Sequence, residues 1–172
     1  MEVSVDPRLS EVEIARAGTD DLETVLKLWL EAANWLESKG ISQWKPNSFT
    51  IESVKEHAAK TELFVARLNK EIVATFSLQW SDAFIWRELN SEDCGYLHRL
   101  VVARSYKSHN LGRLLLSWAE KYIADNGKSK LRLDCMADNE KLNEYYRGSG
   151  FDFVGRIDRT YFSASLYEKV IK

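Results

Sequence analysis

The chain has 172 residues, enough for one domain whose core closes without disulfide or metal staples. Its shares of hydrophobic (45%) and charged (29%) residues are those of a soluble globular protein. A net charge of −2 with no basic block argues against nucleic acid as the main partner, because binding a phosphate backbone needs a basic face.

Met1 to Ser10 carries charges and a proline where a secretory leader would have an apolar core. It is expected to be a flexible extension of a single domain covering 1–172. Glu11 to Ala17 alternates polar and apolar residues and predicts a first strand. Gly18-Thr-Asp20 opens a helix, with Asp20 and Glu23 spaced as a capping box. Leu22, Val25, Leu26, Trp29, Ala33 and Leu36 share one face of that helix, and Gly40 ends it. Ile41 to Phe49 is aromatic and polar. Thr50 is the expected cap of a second helix ending near Lys60. Leu63 to Leu68 and Ile72 to Trp80 read as strands joined by a hairpin turn at Asn69-Lys70. Ser81 to Asp93 reads as a loop, and Gly95 to Val102 as the next strand.

Leu111, Leu114, Leu115, Trp118, Ala119, Tyr122 and Ile123 follow the helical i, i+3, i+4, i+7 template, and Asn126-Gly127 stops the helix. Leu131, Leu133 and Cys135 predict a strand. Asp138 or Asn139 caps a further helix that closes at Gly148-Ser-Gly150, and Phe151 to Ile157 and Tyr161 to Val170 are the last strands. Helix and strand alternate in the second half, which implies at least one parallel strand pair in an α/β fold. No apolar run is long enough to span a membrane, so no membrane partner is expected. Cys94 and Cys135 lack metal spacing and read as reduced thiols of a cytoplasmic protein, with one disulfide left open. His57, His98 and His109 have no metal spacing either, so no metal is expected.

The turn Lys107-Ser108-His109-Asn110-Leu111-Gly112-Arg113 joins a strand to the start of the strongest helix. The first N–H groups of a helix have no partners within it, and the dipole there is positive. Lys107 and Arg113 add charge, which makes the turn an anion cradle. Further on stands Asn139-x-x-Leu-x-x-Tyr145-Tyr146-x-x-x-Gly150-Phe151.

These two segments together resemble the GNAT superfamily of N-acetyltransferases. The first is similar to its acetyl-CoA loop, Gln/Arg-x-x-Gly-x-Gly/Ala, with Lys107 at the first position, Asn110 in place of the first glycine, and Gly112 matching. The second is similar to the family's Asn-x-x-Ala-x-x-Leu-Tyr-x-x-x-Gly-Phe. The resemblance implies a GNAT fold: a central mixed, mostly antiparallel sheet of about seven strands flanked by about four helices. It implies an acetyl-CoA-dependent N-acetyltransferase acting on a primary amine of a small molecule by direct attack in a ternary complex. The alternatives are a non-catalytic acyl-CoA-binding module and an acetyltransferase for a protein or peptide amine. A homodimer is compatible with the family.

Residue by residue, the resemblance assigns the pyrophosphate to Lys107–Arg113 and the pantetheine arm to the backbone of Leu100, Val101 and Val102. It places Asn139 beside that arm and makes Tyr146 the acid that protonates the departing sulfur. Tyr145 falls at the family's apolar position and reads as core. Gly95 to Val102 resembles the same strand of the arylalkylamine N-acetyltransferases, where a histidine aligns with His98. A histidine titrates nearest neutral pH, which suits a base. Tyr96, on the same strand face, is expected to order a water for it. Trp35, Trp44, Trp86, Tyr96 and Asp134 are the expected acceptor contacts. An aromatic wall with acidic residues suits a cationic or aromatic amine.

Overall fold

A computed structural model of the chain describes residues 7–41, 46–106 and 110–172. Seven strands, β1 (Glu13–Arg16), β2 (Glu62–Leu68), β3 (Glu71–Gln79), β4 (Cys94–Val102), β5 (Lys130–Met136), β6 (Asp152–Asp158) and β7 (Ser163–Val170), form one sheet in the order β1-β2-β3-β4-β5-β7-β6. Five α-helices accompany them: α1 (Leu22–Ser38), α2 (Ile51–Lys60), α3 (Ala83–Trp86), α4 (Leu111–Asp125) and α5 (Glu140–Gly148). β1 pairs antiparallel with β2, and β7 pairs antiparallel with both β5 and β6. The expected parallel pair is β4 with β5. No helix among the described residues is long and apolar enough to cross a membrane.

Local chemistry sets most boundaries. Asn69 and Lys70 take φ of 52° and 70°, the left-handed pair that a two-residue hairpin needs. Gly40 and Gly127, with φ of 74° and 80°, end α1 and α4. Thr50 caps α2 by accepting the Ser53 N–H at 3.1 Å. Asn139, one of the two residues proposed as a cap, accepts the Leu142 N–H at 3.1 Å at the start of α5. Pro7–Glu11, overlapping the end of the expected extension and the first residue of the expected strand, winds as a 3-10 turn. The segment read as a loop, Ser81 to Asp93, holds α3 and a 3-10 turn at Arg87–Leu89. The cause is an Asp cap ahead of four apolar residues, Ala83 to Trp86: Asp82 accepts the Ile85 N–H at 3.3 Å.

Two compact units are distinguishable. One comprises the chain up to Ser77 together with Arg99–Leu115; the other comprises Leu78–His98 and Leu116–Lys172. The first closes on Leu22, Val25, Trp29, Val54, Leu63, Val65 and Val101. Arg99 lays its guanidinium 4.5 Å from the Trp29 ring and 5.2 Å from that of Phe49. His57 differs from the exposed position its helix suggests: it is half-buried, with Nε2 2.8 Å from the Ser77 hydroxyl. The second unit buries Ile85, Trp86, Cys94, Tyr96 and Leu166 together. Cys94 and Cys135 are both buried and free, so no disulfide forms.

Gly95 shows how tightly the second unit is packed. A Cβ on it would lie 2.5 Å from both Cδ1 and Cγ1 of Ile123, which is fully buried. Gly95→Ala is expected to cost about 1–3 kcal/mol, the range for overpacking, read as a lower urea midpoint with unchanged slope.

Candidate active site

β4 and β5 part early. Their register runs Cys94 with Lys130, Gly95 with Leu131 and Tyr96 with Arg132, and there it stops. β4 nevertheless continues to Val102 and β5 to Met136. Arg99 has a φ of 53°, a left-handed residue inside a strand, so β4 turns just past His98. Backbone of both strands beyond the last pair is thereby released from the β4–β5 ladder.

His98 and Asp134 are carried on these parted stretches. Asp82 joins them from the connection before α3. Its Oδ2 is 2.9 Å from His98 Nε2, while Asp134 Oδ1 is 3.9 Å from His98 Nδ1. The imidazole thus stands between two carboxylates, with a different nitrogen toward each. Neither Asp82 Oδ2 nor Asp134 Oδ1 has a hydrogen-bond partner among the described residues, so both contacts lack hydrogen-bond alignment and are ion pairs only when the ring is protonated. Burial pushes the Asp134 carboxyl above the usual range; His98 opposes the shift and the Asp82 charge adds to it. The three residues bring one metal-ligating atom each within 4.8 Å, a set that sequence spacing does not reveal.

Two expected acceptor contacts are corrected. Tyr96 is fully buried and Trp86 is 2% exposed. Tyr96 shares a strand face with His98, but its ring is covered by Trp86, 5.7 Å away between ring centroids, and by the Arg132 guanidinium at 5.8 Å. Its hydroxyl accepts the Ser91 N–H at 2.9 Å and an Arg132 Nη1 proton at 3.0 Å. Trp86 is folded back by α3 against the Arg132 guanidinium, 4.3 Å from its ring. Arg132 also donates to Glu168 at 2.7 Å and to the Leu89 carbonyl at 2.6 Å, tying the α3 connection to β5 and β7.

Tyr146 is buried on α5. Its ring meets those of Tyr145 (5.4 Å), Phe151 (5.7 Å) and Tyr167 (6.1 Å). Tyr145 is half-buried. Burial, with Cys135, Tyr145 and Asp134 as lesser causes, pushes the Tyr146 phenol well above its ordinary range, so it stays protonated. Asn143 holds α5 in place: it donates to the carbonyls of Met136 (3.1 Å) and Asn139 (2.8 Å) and accepts the Tyr167 hydroxyl at 2.6 Å. Asn139 uses its amide oxygen as the α5 cap, which leaves its amide nitrogen for any ligand. Burial raises the Cys135 thiol to about 12, with the Asp134 charge adding to it, so Cys135 is no nucleophile near neutral pH.

Of the anion cradle, Lys107, Ser108 and His109 lie outside the described residues, as does Trp44. Asn110 takes φ of 60°, a left-handed turn that glycine adopts most readily and asparagine next. Leu111, Gly112 and Arg113 begin α4, with Leu111 buried and Arg113 exposed. Val101 is buried, whereas Leu100 and Val102 are half-buried. Trp35 lies on α1 with the Arg104 guanidinium 4.0 Å from its ring. An Asn110→Val chain must hold a β-branched residue left-handed, at about 1–2 kcal/mol. Its acetyl-CoA affinity is expected to fall about tenfold by titration calorimetry, and that of Asn110→Gly to be unchanged.

Asp82, Arg132 and Asn143 are absent from the sequence reading. An Asp before Phe84-Ile85-Trp86 is a cap signal that could have found the first; the other two have no local signature.

A profile of the Acetyltransferase (GNAT) family matches residues 28–151. The chain is 33% identical over 159 residues to the uncharacterized N-acetyltransferase YesJ of Bacillus subtilis, covering 88% of this chain and 86% of that protein. In fold it is similar to a GNAT-family acetyltransferase from Listeria monocytogenes: TM-score 0.76, 24% identity, 92% of this chain and 94% of the other. It is also similar to the aminoglycoside acetyltransferase AAC(6')-Ib in complex with coenzyme A and kanamycin: TM-score 0.74, 18% identity, covering 92% and 94%.

Proposed function

Because this chain belongs to the GNAT acetyltransferase family, whose acetyl donor is acetyl-CoA, we propose that it acetylates a primary amine of a small molecule by direct attack. The observation that carries the reading is His98 held between Asp82 and Asp134 where β4 and β5 part. Two carboxylates favour a cationic guest, and an amine arrives as an ammonium with a pKa of about 10. A structural neighbour bound to kanamycin, which bears several amines, supports a small-molecule acceptor.

The residues present suit the donor. The released backbone of Leu100, Val101 and Val102 offers N–H and C=O groups to an extended arm. The left-handed Asn110 and the start of α4, Leu111, Gly112 and Arg113, offer N–H groups to a pyrophosphate; by the resemblance of the loop, Lys107, Ser108 and His109 are proposed to join them. Acetyl-CoA, when bound, supplies an electrophilic carbonyl and a thiolate leaving group. His98 takes one proton from the ammonium and frees the nitrogen lone pair. The Val102 N–H donates toward the carbonyl oxygen as negative charge develops. Tyr146 gives its phenolic proton to the sulfur and regains one from the acylated nitrogen, so a single proton leaves through His98. Trp35, Trp44 and Asp134 are the proposed acceptor contacts, and Asn139 stands by the donor arm.

Thiol release measured across a panel of aminoglycosides, polyamines and arylalkylamines tests the reading, with turnover expected for at least one. No acetyl-CoA binding at millimolar levels would sink it. Binding without thiol release would make the chain an acyl-CoA-binding module, and release with peptides alone would move the acceptor to proteins.

A further inference from the structure

Resting on the reading of His98 as the base, we infer that Asp82 is its positioning residue, holding the imidazole by charge across the connection between β3 and β4. Asp82 is 6% exposed, and a buried carboxylate needs a cationic or hydrogen-bonding partner. Its two oxygens divide the work. Oδ1 accepts the Ile85 N–H at 3.3 Å as the cap of α3, and Oδ2 lies 2.9 Å from His98 Nε2.

The carboxylate is fixed from several sides. The Asp82 N–H donates to Asn90 Oδ1 at 2.8 Å, and Asn90 Nδ2 donates to the Ser81 hydroxyl at 2.8 Å. Arg132 donates to the Leu89 carbonyl at 2.6 Å, and Arg159 donates to the Phe84 carbonyl at 2.8 Å. A connection held at two points by guanidinium groups, and capped internally, is built to keep one side chain in one place.

The consequence is a division of the imidazole. The nearer negative charge, Asp82 at 2.9 Å from Nε2, favours the neutral tautomer with its proton on that nitrogen. Nδ1 then carries the lone pair on the side of Asp134, the more distant carboxylate at 3.9 Å. When the ring takes a second proton, the Asp82 charge stabilises it. Asp82 from the connection and Asp134 from β5 both face the ring and both favour its charged form, with Asp82 the nearer.

The bland reading is that Asp82 only caps α3. Asp82→Asn separates the two roles, because asparagine caps a helix as well as aspartate does but carries no charge. His98 is titrated by imidazole NMR in the full chain, with His98→Gln identifying its signals. The midpoint in Asp82→Asn is expected to lie below that of the wild type. The acidic limb of kcat should move the same way. At neutral pH kcat should fall about tenfold, a fraction of the 10²–10⁴ that a positioned base contributes, with KM for acetyl-CoA unchanged. An unmoved midpoint overturns the inference. If Asp82→Asn fails to fold, Asp82→Ser, which also caps without charge, is read by the same criterion. The titration needs no substrate, so it stands even if no amine is turned over and the acetyl-transfer reading fails.

Discussion

Tyr146→Phe is expected to lower kcat about 100-fold while acetyl-CoA affinity is unchanged, the loss typical of removing a positioned general acid. Phenylalanine keeps the ring and its contacts with Tyr145, Phe151 and Tyr167, so the α5 packing survives. Only the hydroxyl is lost. Burial holds the Tyr146 phenol protonated, which an acid requires at neutral pH. The same burial has a stability signature. The folded pKa is raised above the unfolded value of about 10, so the neutral ring's contribution is fully present below that pH and is lost in alkali. Tyr146→Phe should therefore unfold less readily than the wild type on going above pH 10. Steady-state kinetics, calorimetry and alkaline melts check the three parts. An unchanged kcat would remove Tyr146 from the mechanism.

His98→Gln should lower kcat/KM about 100-fold at neutral pH, and the defect should shrink as the assay approaches the amine's own pKa near 10. An amine that is already neutral has no need of the base. Asp82 and Asp134 remain in the variant without the imidazole they face, so a lower melting temperature accompanies the loss. Initial rates from pH 6.5 to 10, taken well below that melting temperature, provide the measurement. A defect of constant size across the range would show that His98 contributes something other than proton acceptance.

The contrast between these two residues shows what was legible. Tyr146 is marked by its place in Asn139-x-x-Leu-x-x-Tyr145-Tyr146, a helix-borne pattern, and the helix is there. His98 is marked only by its strand. Its neighbour by alternation, Tyr96, carries the same local signature, yet Tyr96 is core and His98 is half-buried. Nothing in the alternation distinguishes them. The last paired residues, Tyr96 and Arg132, do.

The sequence by itself determined what short-range forces decide. The hairpin at Asn69-Lys70, the glycine stops at Gly40 and Gly127, the Thr50 cap and the unbroken stripe of α4 each depend on a few adjacent residues. The left-handed turn at Asn110 belongs with them, since asparagine is the residue next best to glycine there. The tertiary structure alone decided the rest. Asp82 meets His98 across 16 positions and Asp134 meets it across 36, both by way of strand pairing and a connection pinned by Arg132 and Arg159. The parting of β4 from β5 and the burial of Trp86 and Tyr96 have the same origin. Such juxtapositions arise from contacts far apart in the chain, and no local pattern of residue types encodes them.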